Sequence, residues 1–144
     1  MTLVGSNPSP DVLALTRSGV EVRGNVTDLE LTAAYREARV AICPLRSGAG
    51  VKLKVVEAMH NCVPVVTTPV GVQGMPGIES IVDIGKETTA LAAAACRLLA
   101  DDALWRHRAE AQQAYVSARF SAEAVKTALT EAFAAAQPAR AQAR

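Results

Sequence analysis

The sequence predicts an α/β fold, in which a doubly wound parallel sheet is followed by a helical C-terminal region. Short β-branched or apolar runs alternate with helix-spaced segments up to about residue 84, and alanine-rich helical segments fill the chain from Lys86 onward. Such alternation favours right-handed crossovers and a parallel sheet with helices on both faces. With 144 residues, the chain is long enough for one domain, which we place at residues 1–137, followed by a frayed polar tail at 138–144.

Strand and helix signals follow one another through the first half of the chain. The first strand is expected at residues 3–5, and a helix follows from Ser9 and Pro10 to near Gly19, because Pro inside the first turn and Gly past the last are typical of helix ends. The later segments are a strand at 20–24, a helix at 29–38, a strand at 39–43, a helix at 51–61, a strand at 64–68 and a weaker strand at 80–84.

Three helices are expected after Lys86, at about residues 87–100, 102–118 and 122–136. Asp101 and Ser121 stand where N-caps belong. Most of the aromatic area of the chain lies in this region, and we expect it to pack the helices on the sheet. The aromatic residues assigned to this packing are Trp105, Tyr115, Phe120 and Phe133.

Composition and charge exclude several classes of function. The 15 basic and 14 acidic residues give a net charge of +1, which lacks the basic excess typical of nucleic-acid binding. No apolar stretch approaches the ~20 residues of a membrane span, and no signal peptide is present, so we expect a cytoplasmic protein. Cys43, Cys62 and Cys96 form no metal-binding or disulfide pattern and are predicted to be buried free thiols.

The segment from Pro44 to Met59 carries the strongest functional signal. Its small-residue loop, Gly48, Ala49 and Gly50, leaves a predicted strand and enters a helix, which leaves backbone N–H groups free for an anion. Lys52 and Lys54 fall in the first helical turn, where cationic side chains oppose the helix dipole. The two lysines point to a bound phosphate or nucleotide, while a tight strand-to-helix turn is the alternative interpretation of the loop.

The predicted helix separates polar from apolar side chains. Polar and small residues recur on one side at spacings of three and four, namely Gly50, Lys54, Glu57 and Asn61. An apolar ridge is expected from Val51, Val55 and Met59. The Glu57 carboxylate can accept hydrogen bonds from a ribose diol while Lys54 binds phosphate. An ordinary ion pair between Glu57 and Lys54 is the alternative, with about equal support from spacing alone.

Other nucleotide-binding and catalytic patterns are missing from the sequence. Neither a Walker loop nor a GxGxxG fingerprint is present. Ser47, His60 and His107 have no triad-like companions and are expected at the surface or at helix ends. We therefore predict no catalytic residue, no metal ion and no cofactor.

Four segments together resemble the donor-binding domain of GT-B glycosyltransferases of the retaining family 4 type. They are LVGSNP, VEVRGNVTDL, RVAICPLRSGAGVKLKVVEAM and VPVVTTPVGVQGM, and the similarity extends from about residue 2 to residue 133. The resemblance implies a Rossmann-like lobe that binds a nucleotide-diphosphate sugar without a metal ion. It places the loop 48–50, Lys52 and Lys54 at the diphosphate and Glu57 at the ribose hydroxyls.

The chain departs from the family pattern at two positions. The family's two glutamates are separated by seven residues, and the position that precedes Glu57 by this spacing is Ala49, so the glutamate associated with the sugar is absent. Cys62 stands where the family often has glycine at the helix end, and we expect Asn61 to take the left-handed conformation there.

The family pattern also implies an acceptor lobe, and an opening strand and helix of the donor lobe, that are not found in this chain. In the strand order 3-2-1-4-5-6 the absent strand is central. We expect one of three outcomes: the strands that flank it pair directly, another chain supplies it, or the isolated chain is poorly stable.

The expected function is that of the donor-binding region of a retaining glycosyltransferase, with a sugar, glycan or lipid acceptor held by the missing lobe. We expect no transferase turnover from the 144-residue chain alone. One alternative is a non-catalytic nucleotide-sugar-binding subunit that requires a partner chain with the acceptor lobe. A weaker alternative is a fragment of a GT-B-type epimerase or phosphorylase.

Overall fold

The computed structural model describes residues 1–17 and 19–141. The elements are β1 (Thr2–Gly5), α1 (Pro10–Leu13), β2 (Glu21–Gly24), α2 (Asp28–Glu37), β3 (Ala41–Cys43), α3 (Leu53–His60), β4 (Val65–Thr67), β5 (Asp83–Ile84), α4 (Thr88–Ala100), α5 (Asp102–Phe120) and α6 (Ala122–Ala141). Every strand pair in these residues is parallel. The predicted α/β class, with flanking helices and several C-terminal helices, is therefore confirmed.

The chain divides into two compact units, Met1–Arg39 and Val40–Arg144. In the first unit, β1 pairs with β2, and α1 ends at Leu13, well before the predicted end near Gly19. Helix α2 begins with a capping box, in which the Glu30 carboxylate accepts a 2.7 Å hydrogen bond from the Thr27 N–H while the Thr27 hydroxyl accepts one from the Glu30 N–H.

The second unit has a three-stranded sheet in the order β3-β4-β5. All three residues of the central strand β4 are buried, as expected for a parallel strand covered on both faces. Val66 of β4 packs against the apolar side of α4, which contributes Leu91, Ala94, Ala95 and Leu98. Helix α4 therefore covers one face of this sheet.

The five strands form two sheets, one of β1 and β2 and one of β3, β4 and β5. The three outcomes expected for the opening strand stay predictions. The domain boundaries predicted at 1–137 and 138–144 stay a prediction. Helix α6 extends to Ala141, and residues 142–144 of the predicted tail lie outside the described residues.

Three sequence-based expectations in the second unit need correction. A 3₁₀ helix, Ile78–Ser80, replaces the first part of the predicted strand at 80–84, so β5 has only two residues. Phe133 is 70% exposed rather than packed, because it lies with Val125 and Leu129 on an exposed side of α6. Only Cys43 is a buried thiol; Cys62 and Cys96 are exposed, and all three are free.

The C-terminal end of α3 also differs from expectation. Cys62, not Asn61, takes the left-handed conformation, with φ of 59° against −81° for Asn61. The Cys62 N–H donates to the Met59 carbonyl at 3.1 Å, and the Val63 N–H donates to the Ala58 carbonyl at 3.0 Å. These two bonds form a Schellman motif, which places the left-handed residue one position after the C-cap.

Replacing Cys62 by glycine is expected to raise the free energy of unfolding by about 1 kcal/mol. A residue with a Cβ in the left-handed region costs roughly 1–2 kcal/mol, part of which glycine gives back through its larger unfolded-state entropy. Urea unfolding measures the change. Asn61→Gly is the matched control and should not stabilise the protein, since Asn61 has a negative φ. An unchanged or lower stability for Cys62→Gly would contradict the assignment of the motif.

Candidate functional site

The predicted site lies in the second unit, at the carboxyl ends of β3 and β4. The two strands are parallel and in register, with Cys43 opposite Thr67, so the loops that follow them leave the same edge of the sheet. Ligands of open α/β sheets bind outside the carboxyl ends of the strands. The loops concerned are residues 44–52, which contain the predicted glycines, and residues 68–77.

Two threonine hydroxyls tie these strand ends together. Thr67 Oγ1 donates to the Cys43 carbonyl and Thr68 Oγ1 donates to the Leu45 carbonyl, both at 2.6 Å. Gly71 lies against the first of these hydroxyls, because a Cβ at residue 71 would stand 2.0 Å from Thr67 Oγ1. The position of the first loop relative to β4 is therefore fixed by buried side chains.

The glycine loop leads into the start of α3, where backbone N–H donors are unpaired. Gly48 and Gly50 have φ of 128° and 64°, values that favour glycine. Lys52 is the N-cap of α3, and its side chain makes no cap hydrogen bond. The backbone N–H groups of residues 51–54 have no acceptor within the described part of the chain. Four donors and the positive end of a helix are therefore available to an anion.

The three charged residues predicted at this site have different surroundings. Lys52 is half-buried, and its Nζ donates to the Gly50 carbonyl at 2.6 Å. Lys54 and Glu57 are exposed on α3, three residues apart. Among the described residues no ion pair joins Lys54 to Glu57. Both side chains are therefore free to meet a ligand, and the ion-pair alternative is not supported.

The apolar ridge predicted for α3 is only partly present. Val55 and Met59 are fully buried, but Val51 is 37% exposed. The difference has a simple cause, since α3 begins at Leu53 and Val51 therefore belongs to the loop. Ser47, His60 and His107 are exposed, as expected.

The family model of the glycosyl transferases group 1 matches residues 1–101, which is more than half of the chain. The chain belongs to this family.

Among solved structures, this glycosyltransferase-family chain is similar to sucrose-phosphate synthase from Thermosynechococcus elongatus, with a TM-score of 0.73 and 27% sequence identity. The similarity covers 96% of this chain and 38% of that protein, so the chain spans well under half the length of the solved relative. No curated protein sequence matches significantly. The resemblance to a GT-B lobe predicted from the sequence is confirmed.

A buried thiol lies beside the site of this glycosyltransferase-family chain. Burial raises the pKa of Cys43, at the end of β3, to about 11, while the positive charge of Lys54 acts in the opposite direction. The Cys43 thiol is neutral at physiological pH and presents no charge to a ligand.

An open groove of about 540 Å³ runs along the second loop, lined by residues 69, 72–76 and 79 and by Ile84. It lies beside the glycine loop, not on it, and the two meet at Gly74. A Cβ at residue 74 would stand 3.2 Å from Val51 Cγ2 and 3.7 Å from the Gly50 carbonyl carbon. The site residues predicted from the sequence do not include this loop, although its two glycines, Gly71 and Gly74, are an available signal.

Gln112 of α5 is a structural residue that sequence reasoning missed. It is fully buried, and its Oε1 accepts from the Val65 N–H at 2.9 Å while its Nε2 donates to the Ile81 carbonyl at 2.8 Å. The side chain thereby joins the beginning of β4 to the segment before β5. Nothing in the local sequence separates it from the neighbouring Gln113.

Within residues 1–17 and 19–141, no group of three His, Cys, Asp or Glu side chains is placed to hold a metal ion. In the same residues, none of the helices combines the length and apolar character needed to cross a bilayer.

Proposed function

We propose that this chain is the donor-binding region of a retaining glycosyltransferase whose donor is a nucleotide-diphosphate sugar. The observation that carries the proposal is the set of unpaired N–H groups at residues 51–54, which lies at the carboxyl edge of the sheet, with the Lys54 side chain in the first turn of α3. Membership of the glycosyl transferases group 1 family supports the reaction class.

The diphosphate accepts hydrogen bonds from the free N–H groups, and Lys54 adds a positive charge. As the bond between the sugar and the diphosphate of the donor breaks, negative charge grows on the leaving diphosphate. N–H dipoles fixed by the backbone stabilise this charge without rearranging, so they lower the barrier more than they strengthen ground-state binding, and the ammonium group adds to their effect. Glu57 lies three residues further along α3, where its carboxylate accepts hydrogen bonds from the ribose hydroxyls.

The donor sugar is not held by the loop carboxylate that the family pattern implies. Ala49 provides no carboxylate in the loop, so the sugar hydroxyls take their hydrogen bonds from other groups, and the acceptor sugar, glycan or lipid is bound by a second lobe. The retaining outcome follows the family type that the sequence resembles.

Binding of a panel of UDP-, GDP- and ADP-sugars, measured by calorimetry, tests the proposal. Lys54→Met is expected to weaken binding of the preferred donor about tenfold, and Glu57→Gln about fivefold, since charge-assisted hydrogen bonds contribute roughly 1.5–3 kcal/mol before solvent screening. Lys126→Met and Glu110→Gln are matched controls on the exposed surfaces of α6 and α5. Donor affinities of the Lys54 and Glu57 variants equal to that of the parent would refute the site.

A further inference from the structure

Lys52 and Lys54 are two residues apart, yet their side chains are used differently. The Lys52 side chain folds back over the loop that precedes it. Its Nζ donates to the Gly50 carbonyl at 2.6 Å, and its Cε passes 3.1 Å from the place that a Cβ of Gly48 would occupy. The Lys54 side chain is exposed and makes no hydrogen bond or ion pair with the described residues.

The Lys52 contact fixes the peptide unit that carries one of the free donors. The Gly50 carbonyl and the Val51 N–H belong to the same planar trans peptide and point in opposite directions. Holding the carbonyl therefore also sets the direction of the N–H. Gly74 approaches this peptide from the neighbouring loop, since a Cβ at residue 74 would stand 3.5 Å from the Val51 nitrogen.

The loop needs such a restraint because its own backbone is permissive. Gly48 and Gly50 both have positive φ, and glycine visits many other conformations at little cost. The four residues 48–51 form no regular structure. A hydrogen bond from the charged side chain of residue 52 to one end of the loop restricts the loop to one of these backbone conformations.

We propose that Lys52 is a positioning residue, which holds the glycine loop in its ligand-ready shape, whereas Lys54 is the cation that meets the diphosphate. This inference rests on the proposed function and divides the two roles that the sequence assigned jointly to the lysines. It also accounts for a lysine at the N-cap of α3, because the Gly50 carbonyl offsets an ammonium charge that opposes the helix dipole.

A methionine at position 52 separates the charge of Lys52 from its packing. Met has an unbranched side chain that can continue to cover Gly48 but has no ammonium group. Lys52→Met therefore removes the hydrogen bond to Gly50 and keeps most of the packing, while Lys54→Met is the matched change two residues later, in the first turn of α3.

Two readouts separate the roles. In the ligand-free protein, ¹⁵N relaxation should show the order parameters of residues 48–51 falling from about 0.85 to below about 0.6 in Lys52→Met and staying unchanged in Lys54→Met. For UDP, GDP or ADP, Lys52→Met should weaken binding about fivefold with the salt dependence of Kd unchanged. Lys54→Met should reduce that salt dependence, because a screened charge contact to phosphate is lost.

Unchanged order parameters in Lys52→Met, or a salt dependence reduced as much as in Lys54→Met, would overturn the proposal. The relaxation measurement needs no nucleotide, so it is independent of the proposed function. If the loop loosens in Lys52→Met and none of the nucleotides binds the parent protein, the positioning contact is real and the proposed function fails.

Discussion

Replacing Gln112 by leucine is expected to lower the free energy of unfolding by about 3 kcal/mol. The change keeps an apolar stem in a fully buried position but removes the amide group. The Val65 N–H of β4 and the Ile81 carbonyl then lose their hydrogen bonds. A buried polar group left without a partner costs roughly 1–3 kcal/mol. Ile81 is half-buried, so water can donate a hydrogen bond to its carbonyl and recover part of the lost free energy.

Urea unfolding of Gln112→Leu and Gln113→Leu measures this effect against a matched control. Gln113 is adjacent on α5, but its side chain donates only to the Ser117 hydroxyl, at 3.2 Å in an exposed setting, so its loss should change stability by no more than about 0.5 kcal/mol. A decrease below about 1 kcal/mol for Gln112→Leu would mean that the Val65 N–H finds another acceptor.

Replacing Gly71 by alanine is expected to cost about 3 kcal/mol, at the upper end of the usual range for overpacking. The new Cβ would stand 2.0 Å from Thr67 Oγ1 and 3.0 Å from both Thr67 Cβ and Thr67 Cγ2. Thr67 is fully buried and its hydroxyl donates to the Cys43 carbonyl, so it cannot move without losing that bond. Either the loop after β4 shifts or the link between β3 and β4 is broken.

A double-mutant cycle identifies the cause of this loss. In a Thr67→Ala background the hydroxyl and the methyl group are gone, so adding Gly71→Ala should cost much less than it does in the parent protein. Gly5→Ala is a control, because no atom lies within 4 Å of a Cβ there and its φ is not positive. Equal costs of Gly71→Ala in both backgrounds would show that the contact with Thr67 is not the cause.

The order of strands and helices could be predicted because its signals are local. The Asp101 cap and the alternation of apolar runs act over a few residues, and the structure has an element at each predicted place. The predicted boundaries of the elements are less accurate. Val51 was expected on the apolar ridge of α3 but lies in the preceding loop, because α3 starts two residues later than predicted.

The remaining features depend on contacts between distant parts of the chain. Gln112 bonds to Val65 across 47 residues, and no spacing rule relates the two. The Lys52 side chain turns back to Gly50 because of the loop's own conformation, which helical spacing does not describe. The left-handed residue was assigned to Asn61 by its amino-acid preference, whereas the Schellman geometry places Cys62 there.

The most direct test of the account is an NMR titration of the backbone amides with UDP, GDP and ADP, using the corresponding nucleosides as controls. We expect the preferred diphosphate to shift the N–H signals of residues 51–54 downfield, because those protons gain a phosphate acceptor, while its nucleoside leaves them in place. Shifts confined to other residues, or the same shifts with the nucleoside alone, would contradict a pyrophosphate site at the start of α3.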